Sequence, residues 1–195
     1  VTAAEIGGGF GGKTVVYLEP LAVRLSQRAG RPVKLVMDRD EVFRASGPTS
    51  GTRIKVKMGV TNEGQLTAAD VWMGYEAGAF SGSPVGAAGM TVIACYDIPN
   101  FFVEGFDVVV NKPRVAAYRA PGAPMAAFAV ETVMDELARG INIDPIDLRL
   151  QNAVVEGTQA SYGPKFPRIG FVETLEAIKN HPQYTAELGP NQGRG

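Results

Sequence analysis

The chain has one cysteine, one histidine and one tryptophan in 195 residues. A lone Cys95 excludes an internal disulfide, and its neighbours Val92, Ile93 and Ala94 mark it as a small buried hydrophobe. His181, alone near a polar end, reads as a solvated residue, and the two offer no cluster for zinc or an iron–sulfur centre. An excess of one charge is missing too: 19 basic against 20 acidic side chains leave a formal net charge of −1. With no basic stripe, neither a nucleic acid nor a membrane surface is expected as a partner. No run of 18 apolar residues and no charged start leading into an apolar segment point to insertion or export, so a cytoplasmic location is expected.

Glycine is abundant, with 24 residues, and five of them crowd into Gly7-Gly8-Gly9-Phe10-Gly11-Gly12-Lys13-Thr14. So dense a cluster means sharp turns, positive φ or close approach of backbone to a ligand. Gly7, Gly12, Lys13 and Thr14 fit the phosphate loop of nucleotide-binding proteins, with magnesium beside Thr14. Gly7, Gly9 and Gly12 also fit the dinucleotide fingerprint, with Asp38 as the ribose ligand. Both motifs need a buried strand before the glycines and a helix opening at the last one. Val1-Thr2-Ala3-Ala4-Glu5-Ile6 is a poor buried strand, and Pro20 disturbs a helix that begins at Lys13. A third reading, a non-catalytic assembly module, has the glycine loops simply pack against a partner.

The whole phrase Gly-Gly-Gly-Phe-Gly-Gly-Lys resembles a signature of the molybdenum hydroxylases, the xanthine dehydrogenase and aldehyde oxidase family. Further segments are similar to that family in the same order: Val33 to Glu41 to the strand and turn after the glycine loop, and Cys95-Tyr96-Asp97-Ile98-Pro99-Asn100 to its Tyr-x-Ile-Pro-Asn segment. Ala117-Tyr118-Arg119-Ala120-Pro121-Gly122-Ala123-Pro124 resembles its second cofactor loop. Asp147-Leu148-Arg149-Leu150-Gln151-Asn152, then Glu156-Gly157, resembles its Leu-Arg-x-x-Asn ending. The resemblance runs from residue 5 to 180.

It implies a molybdenum–molybdopterin cofactor contacted by Gly8, Gly9, Phe10, Gly11, Gly12, Arg119, Ala120 and Gly122. The amides of Gly9, Phe10 and Gly11 would face the metal's oxo groups, and Arg119 would give a fork of donors to the pterin side. Phe10, Thr49 and Pro121 would line the substrate pocket. The implied reaction is oxidative hydroxylation of an aldehyde or N-heteroaromatic carbon, with electrons leaving to iron–sulfur centres and FAD on other domains or subunits. The implied general-base glutamate lies downstream of these residues and a glutamine upstream, so none of the residues here is assigned a catalytic role. The chain is expected to be an excised piece of the molybdenum-binding subunit, dependent on the remainder of that subunit and inactive alone. Asp38, Asp40 and Glu41 are expected to form a solvated face.

Departures from the family bear on specificity. Pro121 stands where purine-oxidising relatives place a phenylalanine. Gly47-Pro48-Thr49-Ser50-Gly51 offers only Thr49 or Ser50 where those relatives carry a substrate-orienting arginine, which argues against xanthine. Met125 replaces the usual glutamine of the cofactor loop, and the loop lacks the cysteine or selenocysteine of carbon monoxide dehydrogenases.

The fold class expected is α+β, with mixed, largely antiparallel sheets and packed helices. Residues 1–160 form the partial cofactor-binding region, in one or two α+β subdomains; 161–181 are a loop and terminal helix; 182–195 are a tail without structure. Leu18 to Ala29 carry a helical period, starting near Glu19 because of Pro20 and stopped by Gly30. Val33–Met37, Arg53–Thr61, Leu66–Met73 and Phe102–Val110 read as strands, the middle two joined by a turn at Asn62-Glu63-Gly64. Ala79–Gly89 reads as loop. Pro124–Arg139 is a helix with an inward stripe of Ala126, Val130, Val133, Met134 and Leu137. Short helices follow from Asp144-Pro145 to Leu150 and around Phe171, Leu175 and Ile178.

Overall fold

The structure, a computed structural model, describes residues 5–47 and 49–194. Val1–Ala4, Pro48 and Gly195, which take in the start of the segment before the glycines and the last residue of the tail, lie outside the described residues. The fold is α+β: helices α1 (Glu19–Ala29) and α2 (Arg39–Ala45), strands β1 (Thr52–Val60) and β2 (Leu66–Gly78), helix α3 (Val85–Thr91), strand β3 (Phe101–Val109), and helices α4 (Ala123–Gly140), α5 (Pro145–Gln151), α6 (Phe171–Lys179) and α7 (Pro182–Thr185). The sheet is mixed, in the order β1-β2-β3. β1 and β2 form an antiparallel hairpin, bonded from Glu76 N–H to Gly51 O at the open end and Thr61 N–H to Gln65 O at the turn. β3 runs parallel to β2, with Ala69 N–H on Asn100 O and Val110 N–H on Gly78 O. A parallel neighbour requires a crossover connection, and α3 supplies part of it.

By its contacts the chain divides into two units, whose boundaries fall inside the strands. The first comprises Val1–Ile54, Met73–Ala88 and Gly105–Met125 and carries both glycine-containing loops. Its buried residues include Met73, Tyr75, Ala77, Ala88 and Val115, the first three being alternate positions on β2. The second comprises Lys55–Trp72, Gly89–Glu104 and Ala126–Gly195. Its core takes the α4 stripe of Ala126, Val130, Met134 and Ala138, with Val71, Ile93, Leu148 and Leu175. Asn152, 4% exposed, accepts Leu66 N–H at 2.9 Å through its carboxamide oxygen and donates to Gly64 O and Leu148 O, both at 2.8 Å. It thus pins the β1–β2 turn to the end of α5. Arg149 binds Glu131 and Asp135, and Tyr96 donates its hydroxyl to Glu131 at 2.8 Å. The residues of the two downstream family-like segments therefore have structural work within this unit.

Five expectations change. Val33–Met37 alternates half-buried and exposed side chains, but no described strand pairs with it, and β propensity without a partner does not make a strand. The acidic turn after it opens helix α2, because Asp38 accepts Glu41 N–H while Glu41 accepts Asp38 N–H, a capping box. The Ala79–Gly89 loop ends in α3, a helix made of small residues. Cys95 is exposed and not buried, at the end of the turn residues that follow α3. In the segment expected to be unstructured, Pro182–Thr185 form α7, capped by His181 and held by the Tyr184 hydroxyl on Asp144.

Candidate functional site

The glycine loop closes on itself through Gly12 N–H to Gly9 O at 2.8 Å and Thr14 Oγ1 to Gly11 O at 2.8 Å. Gly8, Phe10 and Gly11 have φ of 134°, 50° and 91°. Of the two glycines, Gly11 sits against another segment: a Cβ there would lie 3.1 Å from Ala117 O. Phe10 adopts the left-handed region without being glycine, a conformation that side chains resist unless the surroundings enforce it. One such constraint is Arg119 N–H, which donates to Phe10 O at 2.7 Å. The second loop has the same character. Ala120 is left-handed at φ 55°, and Gly122 at φ 86° is buried so closely that a Cβ would lie 2.4 Å from Pro84 O. Tyr75 donates to Gly122 O at 3.0 Å from within β2, fixing the loop to the sheet.

The two loops named by the sequence therefore meet, with Gly8–Gly12 on one side and Arg119–Gly122 on the other. Among the described residues, the N–H groups of Gly9, Phe10 and Gly11 donate to no protein acceptor, and the side chains of Arg119 and Lys13 enter no ion pair or hydrogen bond. Unpaired amides beside free cations form a donor-rich cradle for a polar, anionic group. Phe10, 61% exposed, stands over this surface with its ring 6.4 Å from that of Tyr118. Of the remaining pocket candidates, Pro121 is half-buried and Thr49 is exposed. Its neighbour Ser50 is 5% exposed, with a buried hydroxyl lacking a hydrogen-bond partner among the described residues. Asp38, Asp40 and Glu41 are spent on the α2 cap and on an ion pair to Arg44 at the surface.

Tyr17 was not legible as part of this site. Its hydroxyl donates to Gly12 O at 3.0 Å and accepts Gly47 N–H at 3.2 Å, linking the glycine loop to the segment that contains Thr49. The partners lie five and thirty residues away, outside any motif window. The nucleotide readings fail on geometry: no strand is described over residues 5–7, and the next helix begins at Glu19, not at Lys13.

Known proteins share both sequence and fold with the chain. It is 32% identical over 183 residues to the nicotinate dehydrogenase large molybdopterin subunit of Eubacterium barkeri, covering 92% of this chain and 43% of that one. It is 34% identical over 176 residues to the xanthine dehydrogenase molybdenum-binding subunit of Escherichia coli O157:H7, covering 88% and 23%. The aldehyde oxidoreductase of Desulfovibrio gigas superposes with a TM-score of 0.84 at 28% identity, covering 92% of this chain and 20% of that structure. The quinoline 2-oxidoreductase of Pseudomonas putida 86 gives 0.81 at 26%, covering 90% and 24%. The chain thus spans less than half the length of each of these relatives. Residues 1–153 match the molybdopterin cofactor-binding domain, a stretch that contains both loops of the cradle, and the chain belongs to that family.

Proposed function

We propose that these residues are the cofactor-contacting part of the molybdenum-binding subunit of an oxidoreductase that hydroxylates an aldehyde or N-heteroaromatic substrate. The observation that carries this reading is the 2.7 Å bond from Arg119 N–H to Phe10 O, which joins two loops in which, among the described residues, the N–H groups of Gly9, Phe10 and Gly11 and the Arg119 guanidinium have no protein partner. When bound, molybdenum–molybdopterin supplies the oxidative hydroxylation chemistry. The chain's own part is to bind and orient. Gly9, Phe10 and Gly11 present amide donors, Gly8 and Gly12 leave room for close approach, and Arg119 presents a guanidinium fork, with Ala120 and Gly122 shaping its loop. Phe10 excludes water from the bound face, and Phe10, Thr49 and Pro121 border the substrate. Electrons go on to iron–sulfur and flavin domains or subunits, and the remainder of the subunit supplies the general base. No helix among the described residues is long and apolar enough to cross a membrane. The enzyme's proposed location is the cytoplasm.

The test is molybdenum by mass spectrometry and pterin by fluorescence after oxidation, on the purified molybdenum subunit and on its Arg119→Ala and Arg119→Lys variants. Stoichiometric molybdenum and pterin are expected in the parent. Loss of a charge-assisted contact of ~1.5–3 kcal/mol weakens retention about ten- to a hundredfold in Arg119→Ala. Arg119→Lys recovers part of it, since lysine keeps the charge without the fork. A parent free of both molybdenum and pterin would remove the reading, as would micromolar, magnesium-dependent nucleotide binding that Lys13→Ala abolishes.

A further inference from the structure

We infer that Tyr17 is a positioning residue that locks the glycine loop to Gly47, so that the cofactor cradle and the start of the substrate-side stretch are held as a unit. The inference rests on the cofactor reading given above and adds to it a residue outside both loops.

The geometry is a closed circuit within one unit of the chain. From Gly12, the Tyr17 phenol bridges to Gly47, donating to Gly12 O at 3.0 Å and accepting from Gly47 N–H at 3.2 Å. Gly47 in turn lies flush against the stretch between β3 and the second loop, since a Cβ there would lie 2.6 Å from Arg114 O and 2.8 Å from Ala116 Cβ. Three residues past Ala116, Arg119 N–H returns to Phe10 O at 2.7 Å, and Phe10 leads back to Gly12. Among the hydrogen bonds of this circuit, the Arg119–Phe10 bond is backbone to backbone, and the other two are made by the Tyr17 hydroxyl. The phenol is the side-chain link, and it acts as donor on one side and acceptor on the other, which a hydroxyl can do and a phenyl ring cannot.

Tyr17 is itself placed from below. Its N–H donates to the Glu19 carboxylate at 2.8 Å, at the first turn of α1, where Pro20 sets the backbone. Hydrogen bonds to backbone, first of all Glu19's own and then Tyr17's, hold the Glu19 carboxyl below its ordinary pKa and keep it a charged acceptor at neutral pH. The ring is half-buried, so its bonds do not compete fully with water. Removing the oxygen leaves Gly47 N–H and Gly12 O unmatched at once. The segment carrying Thr49 and the orphaned Ser50 hydroxyl is then free to drift from the cradle.

The experiment compares the assembled molybdenum subunit with its Tyr17→Phe variant by amide hydrogen exchange and by molybdenum retention during dialysis. Exchange at Gly47 is expected to speed up about fivefold, the worth of one hydrogen bond, with a smaller rise across Gly8–Gly12 and faster molybdenum loss. Site-directed 3-fluorotyrosine at position 17, which keeps the hydroxyl, restores the wild-type pattern. A uniform rise in exchange over the whole subunit would reduce Tyr17 to an ordinary packing residue and overturn the proposal. So would unchanged exchange at Gly47, or molybdenum retention equal to wild type despite faster exchange. A wild-type subunit that carries no molybdenum would defeat the cofactor reading instead, and the exchange comparison at Gly47 would still decide the link.

Discussion

At the scale of single residues, the site is made by backbone conformations that side chains avoid. Phe10 at φ 50° and Ala120 at φ 55° are both left-handed without being glycine, and each lies in one of the two candidate loops. Such conformations cost on the order of 1 kcal/mol or more, and they persist where neighbours over-determine them. Here the neighbours are each other's loops, through Arg119 N–H on Phe10 O and Ala117 against Gly11. Gly11 tests this directly. At φ 91°, an added methyl is strained and also meets Ala117 at 3.1 Å. Gly11→Ala is expected to lose ~1–2 kcal/mol in urea unfolding and to lower molybdenum content. Gly7→Ala is the control, since a Cβ there meets nothing within 4 Å, and it should leave both measurements unchanged. Equal effects from the two substitutions would show that the loop contact does not set the conformation.

At the scale of elements, helix α5 shows how much of this fold follows from local chemistry. Asp144 caps it by accepting Ile146 N–H at 2.8 Å and Asp147 N–H at 3.2 Å, and Tyr184 on α7 adds a hydroxyl donor at 2.8 Å. Desolvation opposes the carboxylate's charge, but the donors from Tyr184, Asp147 and Ile146 outweigh it and hold the Asp144 pKa below the ordinary aspartate value. Burial first, and then the same carboxylate, push the Tyr184 phenol up to about 12. A carboxyl with a depressed folded pKa stabilises at neutral pH, and that contribution fades as pH falls through the ordinary aspartate range near ~4 and below. A phenol with a raised pKa contributes below its unfolded value of ~10 and loses that contribution as pH rises toward 12. Urea midpoints of the wild type and Tyr184→Phe, measured from pH 2 to 8, should differ most near neutrality and converge toward pH 3. A constant difference across that range would show that the hydroxyl is not coupled to the ionisation of Asp144. Asp144-Pro145 announced this helix in the sequence, as the stripe through Ala126, Val130 and Met134 announced α4. The capping box Asp38–Glu41 is equally visible in the sequence, but its acidic residues also suit a solvated face, and that pattern hides α2. Val33–Met37 misled in the opposite sense, because strand character lies in pairing that no single segment encodes. In the site, the two loops were legible because each is a contiguous phrase. The Tyr17 bridge was not, since it exists only once Gly12 and Gly47 have been folded together.

At the scale of the whole molecule, the described residues leave a great deal of apolar surface open. Helix α1 buries no residue and exposes Leu21, Val23 and Leu25, although its spacing is that of a helix with a face to cover. β3 lies at the sheet edge, exposing Phe101, Phe102, Phe106, Val108 and Val109 along nine residues. An exposed apolar edge strand offers unpaired backbone groups and greasy side chains together, a combination that draws in another chain. The fold spends its burial elsewhere, on β2 and α4, whose Met73, Tyr75, Val130 and Met134 are fully covered. The open faces match what the proposed function requires, a larger subunit that packs over α1 and β3. Made alone, the 195-residue chain is therefore expected to self-associate at micromolar concentration. Phe102→Glu, which sets a charge on the edge strand at a position 62% exposed, should shift it toward monomer in sedimentation velocity without lowering its helix content by circular dichroism. A chain that sediments as a monomer with or without the substitution would show that the edge is not sticky, and the packing role assigned to β3 would fall with it.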